Sequence, residues 1–197
     1  MSTHANQMKT VYVSFGSNKG DKLANCINGI ACLRDLESVS IENQSDYYLT
    51  EPQELKAQSW FLNGVVKIKT TLDPFALLNA LKMIEHKFGR ISTEMRYGPR
   101  VLDFDIIFYN NTIINTPGLV VPHPRMHKRE FVLRPLCDLS PDILHPVLNK
   151  SVKQLLDEIA SANQQCIKLK SMDLQSIQLI QKEKGPEQEE NRNEIFY

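Results

Sequence analysis

Val11, Val13 and Phe15 alternate with Tyr12 and Ser14, the period of a half-buried strand, and the run stops at Gly16-Ser17-Asn18-Lys19-Gly20. Asp21 then reads as an N-cap, and Leu23, Cys26, Ile27, Ile30 and Leu33 recur at helical spacing behind it. Val39 and Ile41 begin a second strand that resumes through Tyr47 and Leu49. Positions 50–59 carry no period and are expected to form a surface loop, of a length that in compact domains is often functional. Alternation returns over 61–69, with Leu62, Val66 and Ile68 on one side and Phe61 and Asn63 on a face expected to be solvated. Asp73-Pro74, an N-cap followed by an N1 proline, opens a helix whose stripe is Leu77, Leu81, Ile84 and Phe88 and whose stop is Gly89. Glu85 sits at the margin of that stripe, where a glutamate is usually solvated but can orient an arginine or a metal-bound water.

The next apolar run, Val101, Leu102, Phe104, Ile106 and Ile107, is a strand fed by the Gly98-Pro99 turn. Asn110-Asn111 is expected to turn a hairpin into Thr112-Ile113-Ile114. Pro124 opens a single helical turn, Leu133, Leu136 and Leu139 read as core packing, and Ser151 with Gln154 makes a capping box for a helix containing Val152, Leu155, Leu156 and Ile159. Beyond residue 160 the pattern weakens, with a short strand expected at Ile167-Lys168-Leu169, a helical face at Leu174, Ile177 and Ile180, and disorder from 182 to 193. The predicted order is therefore β-α-β-β-α-β: an α+β, ferredoxin-like antiparallel sheet packed by helices, with an added hairpin and C-terminal helices. A flexible segment 1–9, one domain over 10–160 and a partly disordered extension over 161–197 follow from the same pattern.

Composition narrows the function. Lys plus Arg equals Asp plus Glu at 23 each, so the whole chain has no bias toward nucleic acid or an anionic membrane, and any basic site must be local. The four cysteines lack C-x-x-C spacing, and Cys26 and Cys137 sit among apolar neighbours. No apolar run reaches membrane-spanning length, and the expectation is a cytoplasmic, monomeric protein without membrane or nucleic-acid partners.

The segment with chemistry is 96–107. In a strand Leu102, Phe104 and Ile106 share one face and Asp103 and Asp105 the other, which sets two carboxylates roughly 7 Å apart at Cα. Like charges that close need a cation between them, and hard oxygen donors without thiols point to Mg²⁺. Two such ions can lie about 3.5–4 Å apart on paired carboxylates. Arg96 and Arg100 precede the pair, and a planar guanidinium suits phosphate. Taken alone the D-x-D reads as well as the solvated face of an ordinary strand. The glycine-rich turn at 16–20 is open in the same way between a phosphate cradle and a plain strand-to-helix turn, because it lacks the P-loop and dinucleotide spacings. Phe61 beside Asn63 is either a stacking platform with a hydrogen-bonding amide or a scattered exposed aromatic. His123, Arg125, Lys128 and Arg129 concentrate positive charge, although a charge run is commonly a solvated face.

Five motifs decide among these readings: Phe-Gly-Ser-Asn at 15–18, Phe61-Leu62-Asn63, Glu85 with Gly89-Arg90, Arg96-Tyr97-Gly98-Pro99-Arg100-x-Leu102-Asp103-Phe104-Asp105-Ile106, and Val121-Pro122-His123-Pro124-Arg125-Met126-x-x-Arg129-x-Phe131. Together they closely resemble the 6-hydroxymethyl-7,8-dihydropterin pyrophosphokinases of folate biosynthesis, over about residues 10 to 160. The resemblance implies an ATP-dependent diphosphotransferase that moves the β,γ-diphosphate of ATP onto the pterin's hydroxymethyl oxygen and leaves AMP. It implies two Mg²⁺ ions held by Asp103 and Asp105, with Arg90 and Arg100 joining them as catalytic residues. It implies a pterin stacked between Phe61 and Phe131, read by Asn63 and by the Thr50 and Pro52 loop, and a nucleotide surrounded by Glu85, Arg96, Tyr97, Arg100, Ile106, His123 and Arg129. Ser92, Tyr97 and Pro124 depart from residues common in the family, and Ser92 removes a loop charge. Loops 50–59 and 89–99 are expected to close over the two substrates and exclude water. An RNA-binding module shares the element order, but the 61–66 strand lacks its aromatic signature. A regulatory domain without turnover would not need the D-x-D and the arginines.

Overall fold

Strand β1 (Lys9–Ser17) runs between β4 (Phe61–Thr70) and β5 (Asp103–Tyr109), antiparallel to both. Beyond β4, the strands β2 (Val39–Gln44) and β3 (Tyr47–Thr50) pair with its two halves in turn, and β8 (Cys166–Leu169) adds to β3. The sheet order is β5-β1-β4-β3-β8, with β2 also on β4. Helices α1 (Lys22–Arg34) and α2 (Pro74–Lys87) pack on one face, and α3 (Glu130–Leu139) and α4 (Val152–Ile159) on the other. The computed structural model describes residues 7–53, 55–89, 98–159 and 165–169. Arg90, Ser92, Arg96 and Tyr97 lie outside them, as do the helical face expected at 174–180 and the segment 182–193. Among the described residues no helix is long and apolar enough to cross a membrane.

The helices begin where side chains supply the missing acceptors. Asp21 accepts from the Ala24 N–H, Asp73 accepts from those of Phe75 and Ala76, and Ser151 and Gln154 bond each other reciprocally at 2.8 and 3.1 Å. Gly89, at φ +84°, ends α2 in the left-handed region that favours glycine. On α1, Cys26 and Ile30 are buried, but Ile27 is turned away from them and is 47% exposed.

Two cores flank the sheet. Val11, Val13, Phe15, Leu62, Ile68, Phe104 and Ile106 meet α1 and α2, each fully buried apolar side chain contributing about 1.5–3 kcal/mol. Tyr12, Val65, Ile107 and Phe108 meet α3 and α4. Pairing shifts by one residue between Tyr12 and Val13, so that Val13 faces Ile106 while Tyr12 faces Phe108. This bulge sends both Ile107 and Phe108 to the second core and returns Tyr109 to the first.

The second core corrects one expectation. The face of β4 that carries Asn63 is not solvated: Val65 is fully buried there and Asn63 is 7% exposed, because α3 covers it. The hairpin at Asn110-Asn111 is also corrected. Asn110, at φ +44°, exchanges bonds with Thr10 of β1, and the chain then leaves the sheet. The hairpin forms instead between β6 (Ile114–Thr116) and β7 (Leu119–Val121), around Pro117-Gly118.

Candidate active site at one end of the sheet

Asp103 and Asp105 stand on the face of β5 opposite Phe104 and Ile106, as the period-2 argument requires. Both are partly exposed into a cleft of about 290 Å³, at the small end of ligand pockets. Arg100 donates to Asp103 at 3.0 Å. Arg129 and His123 approach the far oxygen of Asp105 at 4.0 and 3.8 Å, too long for direct hydrogen bonds. The guanidiniums of Arg100 and Arg129 thus line one side of the carboxylate pair.

His123 is neutral there. Burial, then the charges of Arg129 and Arg125, push its imidazole down to about 4. Its Nδ1 accepts from the Arg125 N–H at 3.2 Å, which leaves Nε2 as the protonated nitrogen, directed at Asp105. The backbone N–H of His123 donates to the Ile107 carbonyl at 3.1 Å and so fixes this segment to the edge of β5.

The opposite wall is an amide. Asn63 donates to the Thr50 hydroxyl at 2.7 Å, which orients its side chain within the sheet. Register places Asn63 across from Gly16, and Gly16 across from Asp103. Two strand spacings, about 10 Å, therefore separate the amide from the first carboxylate. Glycine between them leaves the Asn63 amide its place, since a Cβ there would run into Asn63 Oδ1 and displace it. Phe61 and Phe131 both line the cleft, and Arg129, which approaches Asp105, lies 5.4 Å from the centre of the Phe131 ring.

Asn18 ties the two walls together. Its side chain donates to Gln58 at 2.9 Å and to the Ser59 carbonyl at 3.2 Å, while its Oδ1 accepts from the Arg100 N–H at 2.6 Å. The loop preceding β4 and the segment preceding β5 thus share one buried side chain. Asn18, Gln58 and Arg125 were absent from the expected site. The Phe-Gly-Ser-Asn motif was the available signal for Asn18, and the basic run for Arg125.

Of the expected residues, Thr50, Phe61, Asn63, Arg100, Asp103, Asp105, His123, Arg129 and Phe131 line one cleft. Pro52, Glu85 and Ile106 are not among its lining residues. Pro52 is buried, and the Ile106 side chain faces the first core at 3% exposure. Glu85 is corrected from a stripe margin to a buried carboxylate, 3% exposed, that accepts from the Phe104 N–H at 2.6 Å. It supplies an acceptor at the outer edge of β5, between the two aspartates. Glu85→Ala is expected to lower stability by about 1–3 kcal/mol in a denaturant titration, and Glu85→Gln, which keeps an oxygen acceptor, by less.

The donor set suits Mg²⁺. That ion is commonly held by one or two carboxylates with the remaining positions filled by water and substrate phosphate. Two aspartates opening into a cleft beside guanidiniums meet that requirement, although among the described residues no group of three or more His, Cys, Asp or Glu could hold a metal by itself.

A family model described as 7,8-dihydro-6-hydroxymethylpterin-pyrophosphokinase matches residues 12–141. The chain is 42% identical over 128 residues to 2-amino-4-hydroxy-6-hydroxymethyldihydropteridine pyrophosphokinase of Bacillus subtilis, covering 65% of this chain and 76% of that protein. It is 38% identical over 151 residues to the protein of the same name in Aquifex aeolicus, covering 77% and 92%. Folic acid synthesis protein fol1 of Schizosaccharomyces pombe is 42% identical over 153 residues, and the chain covers 21% of its length. A crystal structure of Plasmodium falciparum HPPK-DHPS superposes with a TM-score of 0.65 at 17% identity, over 81% of this chain and 47% of that one, a likeness of fold.

Proposed function

The chain belongs to the 7,8-dihydro-6-hydroxymethylpterin-pyrophosphokinase family, and from that premise we propose that it transfers the β,γ-diphosphate of ATP to 6-hydroxymethyl-7,8-dihydropterin in folate biosynthesis. The observation that carries this reading is the opening of an amide wall, Asn63 with Thr50, and a carboxylate pair, Asp103 with Asp105, into one cleft across Gly16. The proposed domain runs from residue 10 to about 160.

The hydroxymethyl oxygen forms a bond to the β-phosphorus, the bond from that phosphorus to the α,β-bridging oxygen breaks, and AMP leaves with the oxygen. The difficulty is electrostatic, because an alcohol must approach a polyanion; positioning and charge neutralisation dominate such reactions. Asn63 reads the polar edge of the pterin while Phe61 and Phe131 hold its ring faces. Arg100 and Arg129 bind phosphate oxygens, and His123, neutral with its Nε2–H turned inward, adds a donor without a fixed charge. Arg90, Arg96, Tyr97 and Ile106 are assigned to the nucleotide from the family motif. Asp103 and Asp105 are assigned to two Mg²⁺ ions, which when bound neutralise polyphosphate charge and make the hydroxyl easier to deprotonate. Asp105 is the proposed proton acceptor.

The proposed working unit is a single chain in the cytoplasm. A reducing compartment suits its four unpaired cysteines. Incubation with MgATP and 6-hydroxymethyl-7,8-dihydropterin is expected to yield AMP and the pterin diphosphate, resolved by phosphorus NMR. ADP as the product, or no pterin-dependent turnover, would overturn the assignment.

A further inference from the structure

Strand β8 lies past residue 141, where the family match ends, yet it is built into the sheet beside the pterin wall. Cys166 pairs with Thr50, whose hydroxyl holds the Asn63 amide, and the Glu51 N–H donates to the Gln165 carbonyl at 3.2 Å. Leu169 is buried in the first core. Lys168 reaches Asp46 at 3.1 Å and Asp138 of α3 at 2.8 Å, and its ammonium lies 5.8 Å from the centre of the Tyr48 ring. Burial pushes the Cys166 thiol up, and the charges of Arg134 and Glu130, in the first turns of α3, act on it in opposite directions. One short strand therefore touches both supports of the pterin pocket: the end of β3, which carries Thr50, and α3, which carries Phe131.

We propose that residues 165–169 are a positioning element for the pterin, holding Thr50 and Glu51 so that the Asn63 amide and the loop after β3 present a fixed edge to the heterocycle. This rests on the pterin reading above. In an antiparallel ladder residues that exchange bonds alternate with residues that do not. The Glu51–Gln165 bond therefore sets Ile167 in the bonded series opposite Leu49. Ile167 is 46% exposed, so its side chain adds little to the core while its amide belongs to the ladder. A proline there withholds that amide.

The test is binding of 6-hydroxymethyl-7,8-dihydropterin in the presence of Mg²⁺ and α,β-methylene-ATP, whose scissile bridge is blocked, with binding of the nucleotide analogue alone as the reference. Ile167→Pro is expected to raise the pterin Kd at least tenfold and the nucleotide Kd less than twofold, and Ile167→Ala to leave both unchanged. Lys168→Ala, which keeps the ladder but cuts the tie to α3 and Asp46, is expected to raise the pterin Kd about threefold and to speed amide exchange at Thr50 and Glu51. Should Ile167→Pro not fold, Lys168→Ala decides by the same two readouts. An unchanged pterin Kd, or parallel weakening of pterin and nucleotide, would overturn the proposal. Failure of the unsubstituted protein to bind pterin would instead overturn the functional reading.

Discussion

Asp105→Ala is expected to lower kcat about a hundredfold or more, equivalent to about 2.7 kcal/mol of barrier, and Asp103→Ala to do the same. Each carboxylate projects from a paired strand, so its removal leaves the packing of Phe104 and Ile106 in the opposite core untouched. A loss of rate without a loss of stability is therefore the expected signature, read from steady-state kinetics beside a thermal melt. Asp105→Asn separates two roles. The amide keeps an oxygen for a cation but neither accepts the hydroxyl proton nor offsets charge, so near-normal turnover in that variant would remove Asp105 as proton acceptor while leaving its metal role standing.

Asn63→Leu is expected to raise the KM for the pterin about 10- to 100-fold, equivalent to about 1.4–2.7 kcal/mol, with the KM for ATP unchanged. A buried amide oriented by Thr50 can satisfy the polar edge of a flat heterocycle, and an isobutyl group of similar size cannot. The two walls are about two strand spacings apart, so the nucleotide end should not register the change. If both constants rise together, Asn63 is a structural residue of the sheet and the pterin belongs elsewhere.

Local signals identified most of the framework. Asp21, Asp73-Pro74 and Ser151 with Gln154 announce their helices through bonds a single turn long, and the D-x-D face follows from strand geometry alone. What escaped depends on distant partners. Helix α3 carries Pro135, which lacks the amide that would bond the Phe131 carbonyl, and its short apolar run gave no clear period. Missing that helix is the reason the Asn63 face was expected to meet water. Glu85 escaped for a similar reason: its place one position off an apolar stripe says nothing of the β5 amide that binds it, which is 19 residues away. The cleft residues were legible as a set because the family's motifs carry what periodicity does not.

The three margin strands of the sheet, β5, β8 and β2, carry a consequence for self-association. An outermost strand exposes a row of unused amides and carbonyls that can template fibrils. On β5 the Glu85 carboxylate takes the Phe104 amide, and the His123 amide takes the Ile107 carbonyl. On the other side of the sheet, β8 is four residues long and carries Lys168 between two acidic groups, while β2, paired only with β4 among the described residues, is bulged between Ile41 and Asn43 and carries Glu42 against Lys67 and Lys69. None of these margins offers a flat, uncharged ribbon to a second molecule, so the chain is expected to resist stacking into cross-β polymers at high concentration.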